Sequence, residues 1–225
     1  MISVITFYTP EYNGEISPWR NSCMKHLFAE TGISNSDNRY LVLKYPFKSY
    51  EMPSKGSWTH NCTMKADVVL NAQKELGDGV VWTDVDARFK SYPALFENLD
   101  QYDFGCYWIP NVWNQKNNVR LRPWGADRGD EALAGGTMFF NNTPICIEMI
   151  EAWKEECARN PDVWEQQSLQ KVWDRFDKKG LRTFNFPQSY CKVFDAPWFE
   201  PKSEVVVEHT QASRRLRSKV NAVQR

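Results

Sequence analysis

Residues 80–86 read Val-Val-Trp-Thr-Asp-Val-Asp, a short apolar strand that runs directly into two carboxylates. Because residues i and i+2 of an extended chain point to the same side, we expect Asp84 and Asp86 to project together from the end of this strand. Paired carboxylates are ligands that hard divalent cations such as Mg²⁺ and Mn²⁺ prefer, and such cations bridge to phosphate. The same stretch also fits a turn with two solvated acids.

Strands alternate with helices on both sides of this stretch. The predicted strands cover residues 2–9, 40–45, 80–83, 103–109, 137–140, 181–187 and 205–208. The predicted helices cover residues 18–31, 61–76, 94–99, 144–159 and 162–177. This alternation predicts a single α/β domain over residues 1–225, with a mostly parallel central sheet flanked by helices. In such sheets, ligands bind beyond the carboxyl ends of the strands.

Three segments lie outside this alternation. Residues 48–59 carry proline, glycine and several serines and are predicted to form a loop. Residues 110–131 are long, polar and without a period, which predicts a mobile lid. The tail, residues 213–225, holds five basic residues and no acidic one. It fits either a solvated helix or a segment that contacts a diphosphate, an acidic acceptor or a membrane surface.

Composition narrows the classes of protein that fit. The 28 basic and 28 acidic residues give a net charge of zero, which offers no general support for binding nucleic acid. The six cysteines form no CxxC pair, and no apolar run reaches the roughly 18 residues of a membrane-spanning helix. The sequence also starts without the pattern of a secretory signal. We therefore expect a cytoplasmic protein.

Two other chemistries that use an Asp-x-Asp motif fit less well. A calcium-binding EF-hand loop that starts at Asp84 would need glycine at position 89 and glutamate at position 95, where this chain has Phe89 and Leu95. A phosphatase with an aspartyl nucleophile typically has a small residue where Arg88 stands, and its motif usually follows the first strand. The third chemistry is transfer of a sugar from a nucleotide-sugar, in which a cation holds the diphosphate leaving group.

Five motifs follow one another between residue 56 and about residue 215. They are Gly56-Ser57-Trp58 with Asn61 and Lys65; Trp82-Thr83-Asp84-Val85-Asp86; Leu133-Ala134-Gly135-Gly136-Thr137 with Asn141; Trp164-Glu165-Gln166; and Tyr190-Cys191 with residues 208–214 (Glu-His-Thr-Gln-Ala-Ser-Arg). This ordered set resembles the GT-A-fold glycosyltransferases, particularly small bacterial and phage-type members. The resemblance covers most of the chain and implies the GT-A-like fold and a nucleotide-sugar donor.

The resemblance implies roles for residues around the leaving group. A C-terminal histidine supplies a further metal ligand in several members, so His209 is expected to join Asp84 and Asp86 in holding Mn²⁺ or Mg²⁺. By the same resemblance Lys65 reaches the nucleotide or the diphosphate. Among the basic residues of the tail, Arg214 lies nearest to His209 in the chain and is therefore the expected catalytic cation on the diphosphate. As isolated residues, a histidine at a strand end and a lysine on a helix would also fit structural or solvated positions.

The resemblance also implies residues around the sugars. The turn Gly135-Gly136 is expected to lie beneath the donor sugar, with Gln166 beside it, although a tight turn or bulge explains the two glycines equally well. Glu165 is the expected base, or a group that orients the sugar, where the family often has aspartate; it also suits a helix start.

Ring stacking on an acceptor or a base is a further expectation from the aromatic residues. Trp58, Trp113 and Trp124 are candidates for stacking, and the last two are favoured as acceptor contacts because they lie in the irregular segment.

The sequence therefore predicts a metal-dependent, hexosyltransferase-like enzyme that uses a UDP- or GDP-sugar. The expected acceptor is a hydroxyl group, by default of a glycan precursor, and a nucleobase of phage DNA is the weaker candidate. A glutamate base suits inversion and a C-terminal histidine ligand suits retention, so the stereochemistry stays open. Two alternatives remain: a phosphohydrolase with Asp84 as nucleophile, and a catalytically silent binder of nucleotides or sugars.

Overall fold

A computed structural model of the protein describes residues 1–31, 40–110, 112–114, 119–121, 131–193 and 204–216. The strands in these residues are β1 (Ile2–Tyr8), β2 (Phe28–Thr31), β3 (Tyr40–Leu43), β4 (Phe47–Glu51), β5 (Gly79–Thr83), β6 (Ala87–Phe89), β7 (Phe104–Pro110), β8 (Val112–Asn114), β9 (Val119–Leu121), β10 (Glu131–Phe140), β11 (Thr183–Asn185), β12 (Lys192–Val193) and β13 (Val207–His209). The α-helices are α1 (Asn13–His26), α2 (Trp58–Leu76), α3 (Pro144–Arg159) and α4 (Glu165–Asp177). Short 3₁₀ helices cover Pro10–Tyr12, Ala94–Gln101 and Gln188–Tyr190.

Six strands form the central sheet in the order β11-β7-β10-β5-β1-β4. Strand β1 pairs in parallel with β4 and β5, and β11 pairs in parallel with β7. Strand β10 runs antiparallel to both of its neighbours, β5 and β7. Five strands therefore share one direction, which confirms the prediction of a mostly parallel sheet. The carboxyl ends of β1, β4 and β5 lie together at one edge of it.

Helices cover both faces of the sheet, and β5 is therefore buried on both sides. Val80 and Trp82 pack in a core cluster with apolar residues of α2, α3 and α4. Val81 points to the opposite face and packs in a second cluster with Ile16 and Trp19 of α1. This continuous apolar run is typical of a central strand in a parallel sheet.

A bulge interrupts β10 beside the end of β5. The register between β10 and β7 shifts between Ala134 and Met138, so that the residues between them have no partner on β7. The backbone of Gly136 stays attached to the next strand, because the Asp84 N–H donates to the Gly136 carbonyl at 2.9 Å. The two glycines are thereby held against the start of the segment that carries the two aspartates.

A second, three-stranded sheet (β12-β13-β6) places the C-terminal histidine. Strand β6 follows the Asp-x-Asp stretch at once and pairs antiparallel with β13, so that His209 lies opposite Ala87. His209 and the aspartates therefore do not meet as residues that follow strands of one parallel sheet. They meet because the short strand that follows Asp86 pairs directly with the strand that ends at His209.

Several predicted element boundaries are wrong. Helix α1 starts at Asn13 and contains Pro18, whereas the sequence predicted Pro18 as its first residue; residues 28–31, predicted helical, form β2. Strand β4, Phe47–Glu51, covers the start of the stretch 48–59 that was predicted to be a loop. The predicted irregular segment, residues 110–131, contains β8 and β9, which pair antiparallel with each other. The rest of that segment, and with it most of the predicted lid, lies outside the described residues.

Candidate active site

Asp84 lies immediately after β5, and three hydrogen bonds hold it, one of which it donates and two of which it accepts. Its backbone N–H is bonded to Gly136, and its Oδ1 accepts hydrogen bonds of 3.1 Å from Trp82 Nε1 and from Lys65 Nζ. Its side chain is 40% exposed, so the carboxylate still faces outward. Burial and the negative charge of Asp86 raise the pKa of Asp84 above its usual value, although the ammonium of Lys65 lowers it in part. The carboxylate is thus oriented but remains open to a ligand.

Asp86 is more deeply buried, and its two oxygens have different environments. Oδ2 accepts a hydrogen bond of 2.7 Å from the backbone N–H of Ala212. Oδ1 is buried and has no hydrogen-bond partner among the described residues; His209 Nδ1 lies 3.7 Å from it. Burial raises the pKa of Asp86, but His209 and the Ala212 N–H outweigh this and lower it below its usual value.

His209 is buried against the bulge of β10. Its Nε2 lies 2.9 Å from Thr137 Oγ1, within hydrogen-bonding distance. A Cβ on Gly136 would stand 2.8 Å from Cε1 of the ring, so only glycine leaves room for the histidine. Burial lowers the pKa of His209, but the Asp86 carboxylate and the Cys191 side chain raise it to about 10. A cation held here would take the place of that imidazole proton.

Asp84, Asp86 and His209 together form a cluster that fits a divalent cation. Each offers one ligand atom, and these atoms lie within 4.8 Å of one another. The buried, unpartnered Oδ1 of Asp86 supports this fit, because a buried carboxylate oxygen without a hydrogen bond is costly unless a ligand satisfies it. The two carboxylates match the ligand preferences of Mn²⁺ and Mg²⁺, and the imidazole is a ligand that first-row transition metals accept.

Lys65 connects the cluster to Glu165. Its side chain is 5% exposed, and Nζ donates to Glu165 Oε1 at 2.8 Å, to the Gly135 carbonyl at 3.0 Å and to Asp84 Oδ1 at 3.1 Å. An ammonium has three N–H donors, and these three acceptors match that number. The structure therefore gives Lys65 a positioning role within the protein, and its contact with a nucleotide or diphosphate stays a prediction.

Glu165 and Gln166 begin α4 beside Gly135. Glu165 is buried, and Trp153 Nε1 donates to its backbone carbonyl at 2.8 Å. A Cβ on Gly135 would stand 3.2 Å from Gln166 Oε1 and 3.4 Å from Glu165 Oε1, so the absence of a side chain lets α4 approach the bulge. The structure thus brings Gly135 next to Glu165 and Gln166; the contacts of these residues and of Gly136 with a sugar stay a prediction.

Three residues after β1 belong to the same edge and were missed by sequence analysis. Thr9 Oγ1, Glu11 Oε2 and Tyr12 OH are buried and have no hydrogen-bond partner among the described residues. Burial and the charges of Cys62, Asp86, Asp84 and Glu11 raise the pKa of Tyr12. The signal in the sequence was their place directly after the first strand of a parallel sheet, where ligands bind.

The C-terminal segment turns sharply after His209. Gln211 has a φ of 56°, in the left-handed region, and this turn brings the Ala212 N–H to Asp86. Arg214 follows in a helical turn over residues 212–216, where its side chain is exposed. Arg215 donates instead to Glu15 Oε1 at 2.8 Å, which ties the segment to α1.

The tryptophans predicted to stack on sugars divide into two groups. Trp58 is half-buried and contacts Trp164, with 5.0 Å between ring centroids. The side chain of Trp113 and all of Trp124 lie outside the described residues, as does the end of the basic tail.

Within the described part of the chain, no helix is both long and apolar enough to cross a membrane.

A protein family matches this chain in sequence, and a solved structure resembles it in fold. Residues 35–223 match the family described as nucleotide-diphospho-sugar transferase. The fold is similar to that of a glycosyltransferase involved in the glycosylation of the major capsid of PBCV-1, with a TM-score of 0.63 over 99% of this chain and 98% of that chain. The two sequences are 13% identical, so this likeness concerns the fold alone. No curated protein sequence matches the chain.

Proposed function

Since this chain is a glycosyltransferase that belongs to the nucleotide-diphospho-sugar transferase family, we propose that it moves a hexosyl group from a UDP- or GDP-sugar to a hydroxyl acceptor with a divalent cation. One observation carries the proposal: the buried, unpartnered Oδ1 of Asp86 lies beside Asp84 and His209 at the edge of the sheet. Bound there, Mn²⁺ or Mg²⁺ would neutralise the diphosphate leaving group.

The nucleoside of the donor fits the residues that follow β1. Thr9, Glu11 and Tyr12 offer buried polar atoms that lack partners among the described residues. A base and a ribose present the hydrogen-bonding groups that would satisfy such atoms, and the position beside β5 keeps the diphosphate next to Asp84. Family membership favours this transfer reaction over the phosphohydrolase alternative.

The chain's own residues orient the sugar and stabilise the leaving group. Lys65 fixes the carboxylate of Glu165 next to Gly135, where we place the donor sugar, and Glu165 is our candidate for the base or for the group that orients the sugar. Arg214, exposed just beyond the turn at Gln211, supplies a cation that can reach the diphosphate as its charge develops. We expect a glycan precursor as acceptor.

The cytoplasm is the proposed compartment. All six cysteines are free, and five of them are buried, which is how reduced cysteine is commonly used in cytosolic proteins.

A donor screen tests the proposed function. UDP- and GDP-sugars are incubated with the full chain and Mn²⁺, and release of the nucleoside diphosphate to water is measured with and without EDTA. We expect slow release from one donor that stops when the metal is chelated. Binding of a nucleotide-sugar without any release, even with acceptors present, would support a silent binder, and release of inorganic phosphate from simple esters would support a phosphohydrolase.

A further inference from the structure

Two tryptophans stand apart from the others in the described chain. Trp58 and Trp164 are half-buried. Five other tryptophans are 8% exposed or less and belong to the core: Trp19, Trp82, Trp108, Trp153 and Trp173. The rings of Trp58 and Trp164 meet edge to face, with centroids 5.0 Å apart and planes at 76°. A pair of large aromatic rings that is left partly open to solvent is typical of a binding surface.

The pair lies next to the carboxylate end of the candidate site. Trp58 is the first residue of α2, and Trp164 directly precedes Glu165, the first residue of α4. Lys65, about two turns further along α2, donates to Glu165 at 2.8 Å, so both tryptophans are on elements that this ion pair joins. A ligand against the rings would therefore lie beside Glu165.

Polar groups flank the two rings. His60 Nε2 and Asp162 Oδ1 lie 3.1 Å apart and connect the same two segments, and Asp162 is 92% exposed. An aromatic face attracts the slightly positive C–H groups of a sugar ring, while carboxylate and imidazole groups bind its hydroxyls. Small-ligand sites combine aromatic side chains with a small number of polar groups.

We propose that Trp58 and Trp164 form the acceptor subsite and that the acceptor is a neutral carbohydrate whose ring packs on this pair. The inference rests on the proposed function and adds the class of acceptor to it. The acceptor hydroxyl would then point past Trp164 to Glu165 and the donor sugar.

Kinetic parameters of ring-deletion variants test the subsite. Trp58→Ala and Trp164→Ala are compared with the parent, with alkyl and aryl hexosides as acceptor probes. We expect the KM for the hexoside to rise about tenfold or more, the loss expected for a stacked ring, while the KM for the donor stays within about twofold. Trp164→Phe should recover most of the acceptor affinity. A rise in the KM for the donor instead would mean that the rings hold the nucleotide, and would overturn the proposal.

A matched control exists at the opposite edge of the sheet. Tyr102 and Phe184 are half-buried, and their centroids are also 5.0 Å apart, but they lie at the amino ends of β7 and β11. Tyr102→Ala should leave the KM for the hexoside unchanged; an equal rise would show that the effect of the tryptophan variants is structural.

A binding measurement separates this proposal from the proposed function. Saturation-transfer NMR detects contact between the hexoside C–H groups and the protein without any turnover. We expect transfer to the hexoside with the parent and much less with Trp164→Ala. Transfer that is absent with the parent, or equal in both proteins, overturns the acceptor subsite, whereas failure of the donor screen alone overturns only the transfer reaction.

Discussion

Asp86 and Ala212 lie 126 positions apart in the chain, yet the Ala212 N–H donates a hydrogen bond of 2.7 Å to Asp86 Oδ2. The other oxygen, Oδ1, is buried 3.7 Å from His209 Nδ1 and has no hydrogen-bond partner among the described residues. One carboxylate therefore fixes the C-terminal segment with one oxygen and presents the other to the candidate cation site. This arrangement explains why residues so distant in sequence can act on one ligand.

Two substitutions at Asp86 should separate these tasks. Asp86→Ala removes the acceptor of the Ala212 N–H, so we expect faster hydrogen exchange at Ala212 and a loss of stability of about 1–3 kcal/mol. Asp86→Asn keeps a carbonyl oxygen at that position, so exchange at Ala212 should stay closer to that of the parent. Exchange is read by mass spectrometry of the C-terminal peptides, and identical exchange in the parent and Asp86→Ala would show that this hydrogen bond does not hold the segment.

Gly136→Ala should disturb the candidate metal site through His209. The new Cβ would stand 2.8 Å from the buried ring, and we expect a loss of stability of about 1–3 kcal/mol together with a higher Mn²⁺ requirement. Gly14→Ala is the control, because no atom lies within 4 Å of its Cβ and the residue is in α1. It should leave the Mn²⁺ requirement unchanged and stabilise the chain by at most about 1 kcal/mol. A Gly136→Ala protein with the parent's Mn²⁺ requirement would argue against His209 as a ligand.

Lys65→Met should destabilise the fold strongly because it leaves the carboxylates of Glu165 and Asp84 without their shared cation. Removing one partner of a buried ion pair costs about 3–5 kcal/mol. The second substitution Glu165→Gln removes one of the two carboxylates, so the double variant should recover a large part of this loss. Urea unfolding of the parent, both single variants and the double variant measures the coupling. Additive losses would show that Lys65 and Glu165 do not stabilise each other.

Asp103 lies far from the candidate site and should make the stability of the fold depend on pH. Arg182 and Thr143 donate to both oxygens of this buried carboxylate and lower its pKa below the usual 3.8. A lowered folded-state pKa contributes stability that is complete above the usual value and is lost as pH falls through the folded-state value. Asp103→Asn should therefore be less stable than the parent at pH 7, and the difference should shrink below about pH 4. A difference that stays constant from pH 7 to pH 3 would contradict this.

The sequence predicted those parts of the molecule that local pattern determines. The continuous apolar run of β5 followed by two acids is a local signal, and so are the helix signals around α2 and α3. Strand β4 was missed because it lies at the edge of the sheet and has half-buried polar residues, Lys48 and Ser49, without clean alternation. Helix α1 begins before Pro18 because Glu15, Ile16 and Trp19 are buried in tertiary contacts, which include the ion pair of Glu15 with Arg88.

The candidate site was predictable in its residue types but not in its connections. The strand pattern named Asp84 and Asp86, the family resemblance added His209, and the structure brings the three together. Three features of the site depend on contacts between distant segments. They are the bond between Lys65 and Glu165, the room that Gly136 leaves for a histidine ring, and the unpartnered polar atoms of Thr9, Glu11 and Tyr12. No local pattern in the sequence reports such contacts.

Mn²⁺ binding decides whether Asp86 helps to hold the proposed cation. Free Mn²⁺ is followed by electron paramagnetic resonance while the ion is titrated into the full chain with UDP or GDP present. We expect one bound Mn²⁺ per chain for the parent with one of these nucleotides, and binding at least tenfold weaker for Asp86→Asn. Equal affinity in the two proteins, or no Mn²⁺ bound by the parent with either nucleotide, would contradict this expectation.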